Sequence, residues 1–195
     1  TFLVVLTHVH YGSAEMFDLA ALTARAHAQG AQVLWDLSHS VGAVPVELGA
    51  ARADFAVGCT YKHLNGGPGA PAFMYVRHDL QADLAPVLSG WLGHARPFEF
   101  ADDYIPAAGM TRHRCGTPPI LSFAALDGAL SVFDGVDMAD VRRKAQSLID
   151  LFIGLIDDMG MDTGLVLASP RDAARRGSHV SFAHRDGYAL IQQLI

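Results

Sequence analysis

Residues 35–69 read W-D-L-S-H-S-V-G-A-V-P-V-E-L-G-A-A-R-A-D-F-A-V-G-C-T-Y-K-H-L-N-G-G-P-G. One apolar run ends in Asp36. A second, residues 54–59, ends beside Tyr61 and Lys62, and the glycine-rich turn 66–69 follows. Short apolar runs bounded by turn residues read as buried strands. In an α/β sheet, ligands gather at the carboxyl ends of parallel strands. Asp36 and Lys62 are therefore expected to face one crevice.

Working outward, residues 2–6 are apolar and partly β-branched, a further buried strand, and residues 7–12 leave it as a loop. Residues 18–29 place Leu19, Leu22 and Ala26 at helical spacing, with Gly30 as the stop. Residues 32–35 form the next strand, ending at Asp36, and a short helix is expected over 45–51. Strand, helix, strand, short helix, strand predicts an α/β fold. Its sheet is mainly parallel, with right-handed crossovers and helices on both faces. After the glycine turn, residues 72–76 read as a strand and 79–84 as a short helix. Residues 86–119 carry Gly90, Gly93, Pro97, Pro106, Gly109, Gly116, Pro118 and Pro119 without clean periodicity. Irregular stretches of that length are usually functional. Helices follow over 120–133 and 137–159. Residues 164–167 and 179–182 read as strands of a second layer joined by the basic loop 171–176, and Asp186 begins a last helix.

The chain has 195 residues, 51% hydrophobic and 17% charged, which is the composition of a globular domain. A formal charge of -6 and the lack of a basic run argue against a nucleic-acid partner. No apolar stretch is long enough to span a bilayer. Cys59 and Cys115 do not make a disulfide framework, so a reducing cytoplasm is expected. Thr1 leads straight into F-L-V-V-L, and residues 189–195 read as the middle of an amphipathic helix. The chain is expected to be the interior of a longer protein.

A lysine beside a glycine turn is ordinarily a solvated loop residue. Here Lys62 follows an apolar strand, adjoins a phenol and precedes a turn that lets backbone approach a ligand. That setting suits an amine nucleophile. Asp36 alone reads equally well as a helix cap or an ion-pair partner. Together the two residues suit pyridoxal 5'-phosphate: the lysine forms the Schiff base, and the aspartate keeps the pyridine nitrogen protonated. His39 is either a backbone-bonded loop histidine or a group over the cofactor. Tyr61 is either core or a phosphate ligand and proton relay. Thr7 and Thr117 are loop hydroxyls or ligands of a phosphate or ring oxygen. His8 and His10, two apart, would share a strand face, but no third ligand follows and no metal centre is expected. The turn 66–69 lacks the spacing of a nucleotide P-loop or a dinucleotide fingerprint.

The segments D-L-S-H-S-V-G-A-V-P, C-T-Y-K-H-L-N-G-G-P-G, L-S-G-W-L-G-H and R-C-G-T-P-P-I-L, in this order, strongly resemble the kynureninase family, and R-G-S-H-V-S-F agrees. The resemblance covers essentially the whole chain. It implies the fold of the aspartate aminotransferase type. Residues 1–133 would be part of the cofactor-binding large domain; 134–195 would be a connecting helix and the start of a small C-terminal domain. It implies Lys62 as the Schiff-base lysine, Asp36 at the pyridine nitrogen, His39 and Thr7 at the cofactor, and Tyr61 at the phosphate, assisting proton transfer. Trp91 and Thr117 would donate to the phosphate from the neighbouring subunit of a homodimer with a shared active site. The implied reaction is hydrolysis of the Cβ–Cγ bond of L-kynurenine, or of 3-hydroxykynurenine. The products are anthranilate, or 3-hydroxyanthranilate, and L-alanine, in tryptophan degradation and NAD biosynthesis. In this family the residue stacking on the cofactor lies before the present chain, and the arginine for the substrate carboxylate after it. Two other readings remain at this point: a cysteine desulfurase-like enzyme of the same fold, and a non-catalytic fragment that keeps the motifs.

Overall fold

The computed structural model describes residues 2–160 and 163–195. Its centre is a four-stranded sheet in the order β1 (Leu3–Thr7), β2 (Gln32–Asp36), β3 (Phe55–Cys59), β4 (Ala72–Val76). The pairs β1–β2 and β2–β3 are parallel, and β4 returns antiparallel to β3. The mainly parallel sheet expected from the sequence is present. Helix α1 (Leu19–His27) links β1 to β2. It starts where Asp18 accepts the Ala21 N–H at 2.9 Å, and Gly30 follows it at φ +70°.

The core gathers where α1 meets the sheet. Leu19, Val33, Trp35, Leu37, Ala53 and Ala56 are buried together, with Leu6, Leu22 and Ala26 packed against them. Val33 and Trp35 alternate inward along β2, as a strand period of two requires. Trp35 brings a polar edge into this core. Its indole N–H donates to Thr23 Oγ1 at 3.0 Å, and that hydroxyl donates to the Leu19 carbonyl. At the opposite end of the strands, buried Asp54 accepts from the Val33 N–H, from His27 and from Arg77 at 2.8, 2.7 and 2.6 Å. A desolvated carboxylate so fully bonded is tolerable; an unpaired one is not.

Two expected short helices do not form. Residues 45–51 make turns, not a helix. Ala51 N–H reaches the Glu47 carbonyl, then Arg52 turns to φ +53°. With Pro45 unable to donate and Gly49 inside, the segment is too short to repay helix nucleation. Over 79–84 the chain makes only a 3₁₀ turn, His78–Leu80. The Arg77 guanidinium grips Asp79 there and holds the backbone in a tight turn.

Residues 86–119 carry 3₁₀ turns at Trp91–Gly93 and Gly109–His113. Helix α2 (Ile120–Leu130) runs into a 3₁₀ turn, Ser131–Phe133, and α3 (Met138–Asp158) is capped by Asp137. The second layer is smaller than expected. Val166–Leu167 (β5) and Phe182–Ala183 (β6) form a two-stranded antiparallel sheet, leaving residues 179–181 outside it. Helix α4 (Gly187–Leu194) closes the described chain.

The C-terminal part is stitched onto the loop after β1. Met16 N–H donates to the Arg175 carbonyl and Gly177 N–H to the Ala14 carbonyl, at 2.8 and 2.7 Å. Arg142 of α3 donates to the carbonyls of Ala173, Arg176 and Gly177. Arg176, itself buried, pairs with Asp150.

Candidate active site

The carboxyl ends of β1, β2 and β3 share one edge of the sheet. Thr7 is in register with Asp36, and Asp36 with Val57, five residues before Lys62. Past β2 the chain makes an Asx turn: Asp36 Oδ1 accepts the Ser38 N–H at 2.8 Å. Among the described residues no hydrogen bond engages Oδ2. Residues 37–44 then fold tightly, with Gly42 at φ +78°, and a side chain at 42 would meet the His63 carbonyl at 2.6 Å. This close approach sets His39 against the segment that carries Lys62.

Past β3 a second turn forms. Asn65 N–H donates to the Lys62 carbonyl and Gly66 N–H to the Thr60 carbonyl, at 3.0 and 2.9 Å. Asn65, Gly67 and Gly69 all have positive φ, the backbone shape that the glycine-rich sequence permits. Lys62 Nζ lies 3.0 Å from His39 Nε2. Its ammonium can only donate, so the imidazole accepts and carries its own proton on Nδ1. Burial, then the charges of Lys62, His179 and His63, hold the His39 pKa below its usual value, against the pull of Asp36. His63 is lowered by burial, His179 and Lys62. The lowered His39 pKa keeps its lone pair available to Lys62 near neutral pH.

Of the residues singled out from sequence, Thr7, Asp36, His39, Tyr61 and Lys62 come to this edge. Tyr61 is half-exposed, its ring centre 5.4 Å from Lys62 Nζ, within cation–π range. Thr7 Oγ1 donates to the Val9 carbonyl at 3.0 Å. Trp91 and Thr117 are exposed, and the segments that carry them converge. Gly90 is pressed on the Cys115 backbone, and a side chain at Gly116 would come 3.8 Å from Trp91 Nε1. The two predicted phosphate donors therefore stand on adjoining segments.

His63 and His179 were not singled out for the site. His63 adjoins Lys62 in sequence and carried a weak signal. His179 lies 117 positions beyond Lys62; it belongs to the R-G-S-H-V-S-F segment, but nothing in the sequence tied it to the lysine, because only tertiary folding brings its ring 5.9 Å from that of His39. His8 and His10 follow β1 and part company. His8 packs edge-on to Trp35 with Nδ1 unbonded among the described residues, and His10 bonds Ser13. Among the described residues no group of three or more His, Cys, Asp or Glu side chains is placed to hold a metal. Cys59 turns its thiol to the Ser38 carbonyl, and exposed Cys115 turns its own toward the Leu88 carbonyl. No described helix is long and apolar enough to cross a membrane.

The profile of the family Aminotransferase class-V matches residues 1–191. The chain is similar to the kynureninase of Pseudomonas fluorescens, 53% identical over all of this chain and 47% of that protein. It is 51% identical to the kynureninase of Deinococcus radiodurans over 98% of this chain and 47% of that one. It therefore spans about half the length of the curated relatives it matches. Among solved structures it is similar to the apo cysteine desulfurase of Thermococcus onnurineus NA1. The TM-score is 0.79 at 21% identity, over 98% of this chain and 48% of the other. At that identity the likeness is one of fold.

Proposed function

The chain belongs to the aminotransferase class-V family, and from that premise we propose that it is the central part of a kynureninase. Such an enzyme cleaves the Cβ–Cγ bond of L-kynurenine, or its 3-hydroxy form, by hydrolysis, releasing anthranilate, or its 3-hydroxy form, and L-alanine. The observation that carries the reading is the Lys62–His39 contact at the carboxyl edge of the sheet, beside Asp36, in a chain so similar throughout to proteins of that name.

The donor set fits pyridoxal 5'-phosphate. An amine faces a neutral imidazole, a carboxylate has one oxygen unengaged, and a side-chain-free turn follows the lysine. When bound, this cofactor supplies an electron sink for the charge that develops at the substrate carbons. Lys62 would hold the cofactor through its amine, and the uncharged amine would be the base for the substrate Cα proton. His39 Nε2 receives the Lys62 N–H and orients the amine toward that carbon. Asp36 would keep a proton on the pyridine nitrogen through its second oxygen. Tyr61 would give its phenol O–H as a hydrogen bond to the phosphate and relay protons beside Lys62. Thr7, one strand over from Asp36, contributes its hydroxyl to the same edge. Trp91 and Thr117 would donate to the phosphate of a second subunit in a homodimer. Residues 1–133 belong to the large cofactor domain, and 134–195 lead into the small one. The enzyme works in the cytoplasm, in tryptophan degradation.

The test is a borohydride trap on the full-length protein that contains this chain. Incubation with pyridoxal phosphate, reduction and peptide mass spectrometry should place the pyridoxyl group on Lys62, and Lys62→Ala should lack it. Anthranilate release from L-kynurenine should fall by at least about 100-fold in Asp36→Ala, a typical loss when a positioned proton group is removed. A labelled protein that released no anthranilate would leave the cofactor site and remove the kynureninase reading.

A further inference from the structure

Outside its stitched contacts, the C-terminal third returns to the lysine edge through one side chain. His179 lies in the extended run between Gly177 and β6, and its Nε2 is 3.0 Å from the Tyr11 carbonyl oxygen. A carbonyl only accepts, so Nε2 carries a proton and donates it. This anchor leaves the His179 ring 5.9 Å from the His39 ring, their planes 47° apart. His39 in turn accepts from Lys62 at 3.0 Å. Loop after β1, C-terminal run, turn after β2 and turn after β3 thus meet in one line of contacts.

We propose that His179 is a positioning residue: anchored on the Tyr11 carbonyl and standing against His39, it holds that ring where Nε2 receives the Lys62 amine. The proposal rests on the reading of Lys62 as the cofactor lysine. Two further features support it. The place of His179 is set two residues earlier, because Gly177 is bonded to Ala14 and Arg142 and has no room for a side chain. A Cβ there would meet Val9 at 2.5 Å. The groups that face His39 are Lys62, His179, His63 and Asp36, and burial with the three basic neighbours disfavours its cation. The neutral ring that results is the form able to accept from Lys62.

The experiment uses the full-length protein, with His179→Ala and His179→Gln. Glutamine keeps an N–H donor for Tyr11 and much of the bulk over His39. Proton NMR of the cofactor-free protein, assigned with His39→Gln, follows the His39 ring as it titrates. In His179→Ala its midpoint should move up toward the ordinary 6.5, and in His179→Gln it should move less. With pyridoxal phosphate added, the acid limb of Lys62 trapping by borohydride should shift upward in His179→Ala and be largely restored in His179→Gln. A His39 midpoint and acid limb identical in wild type and His179→Ala would overturn the proposal. A second measurement needs no variant. Nitrogen-15 histidine shifts should show His179 protonated at Nε2, and an unprotonated Nε2 overturns the anchor. Wild-type protein unlabelled at Lys62 would remove the cofactor reading, while the His39 titration would still decide the role of His179.

Discussion

His8 carries its imidazole into the packing against Trp35, where a positive charge is poorly solvated. Burial first, and then the charge of Arg142, lower its pKa from 6.5 to about 4. Above pH 6.5 the ring is neutral in both folded and unfolded chains, and nothing is lost. As the pH falls from 6.5 toward 4, only the unfolded chain takes up the proton. Stability is then lost, by about 3 kcal/mol once both pKa values are passed. Urea unfolding at pH 7.5 and pH 5 should show this slope in wild type and a flatter one in His8→Asn; parallel slopes would remove His8 as its source. Sequence alone placed His8 and His10 on one strand face. The structure sends one into the core and the other to Ser13, because β1 ends at Thr7 and a loop has no period of two. Lys62, Asp36 and His39 were legible because each follows an apolar strand at its carboxyl end. His179 was not, because its partners are a distant ring and a backbone carbonyl.

At the scale of elements, the strands were the readable part. Each of the four central ones is a short apolar run closed by turn chemistry, and their bounds differ from expectation by a residue at most. The two missing helices were unreadable for one reason: in segments so short, local turns and a side-chain grip such as Arg77 on Asp79 outweigh weak helical propensity. The turn after β2 gives a prediction of its own. Gly30→Ala meets no atom within 4 Å at φ +70°, so it should cost only the left-handed penalty, about 1–2 kcal/mol. Gly42→Ala, at φ +78° and 2.6 Å from the His63 carbonyl, should cost more. It should also weaken pyridoxyl labelling of Lys62 by prising His39 from the lysine turn. Thermal unfolding of both variants measures the difference, and equal losses would show that the turn does not depend on this close approach.

Across the whole molecule, apolar surface is laid bare on several elements. Helix α2 buries none of its residues, and Leu121 is 87% exposed. Helix α3 turns Leu148, Leu151, Phe152 and Leu155 outward along one stripe, and Val5 stands exposed on the edge strand β1. Surfaces of this kind mark contacts. The 195-residue chain on its own should associate as concentration rises and bind a hydrophobic dye, whereas the full-length protein should bind far less. Sedimentation velocity and dye fluorescence check this, and a dye-silent monomer at every concentration would contradict it. The stitching of the C-terminal part has another consequence. Arg142 and His179 both grip backbone carbonyls, those of Ala173, Arg176, Gly177 and Tyr11. A carbonyl is the same whatever side chain sits beside it. Drift at positions such as 11 and 173 would therefore be silent to the grip, while the gripping arginine and histidine, with the side-chain-free Gly177, carry the mutational burden of the contact.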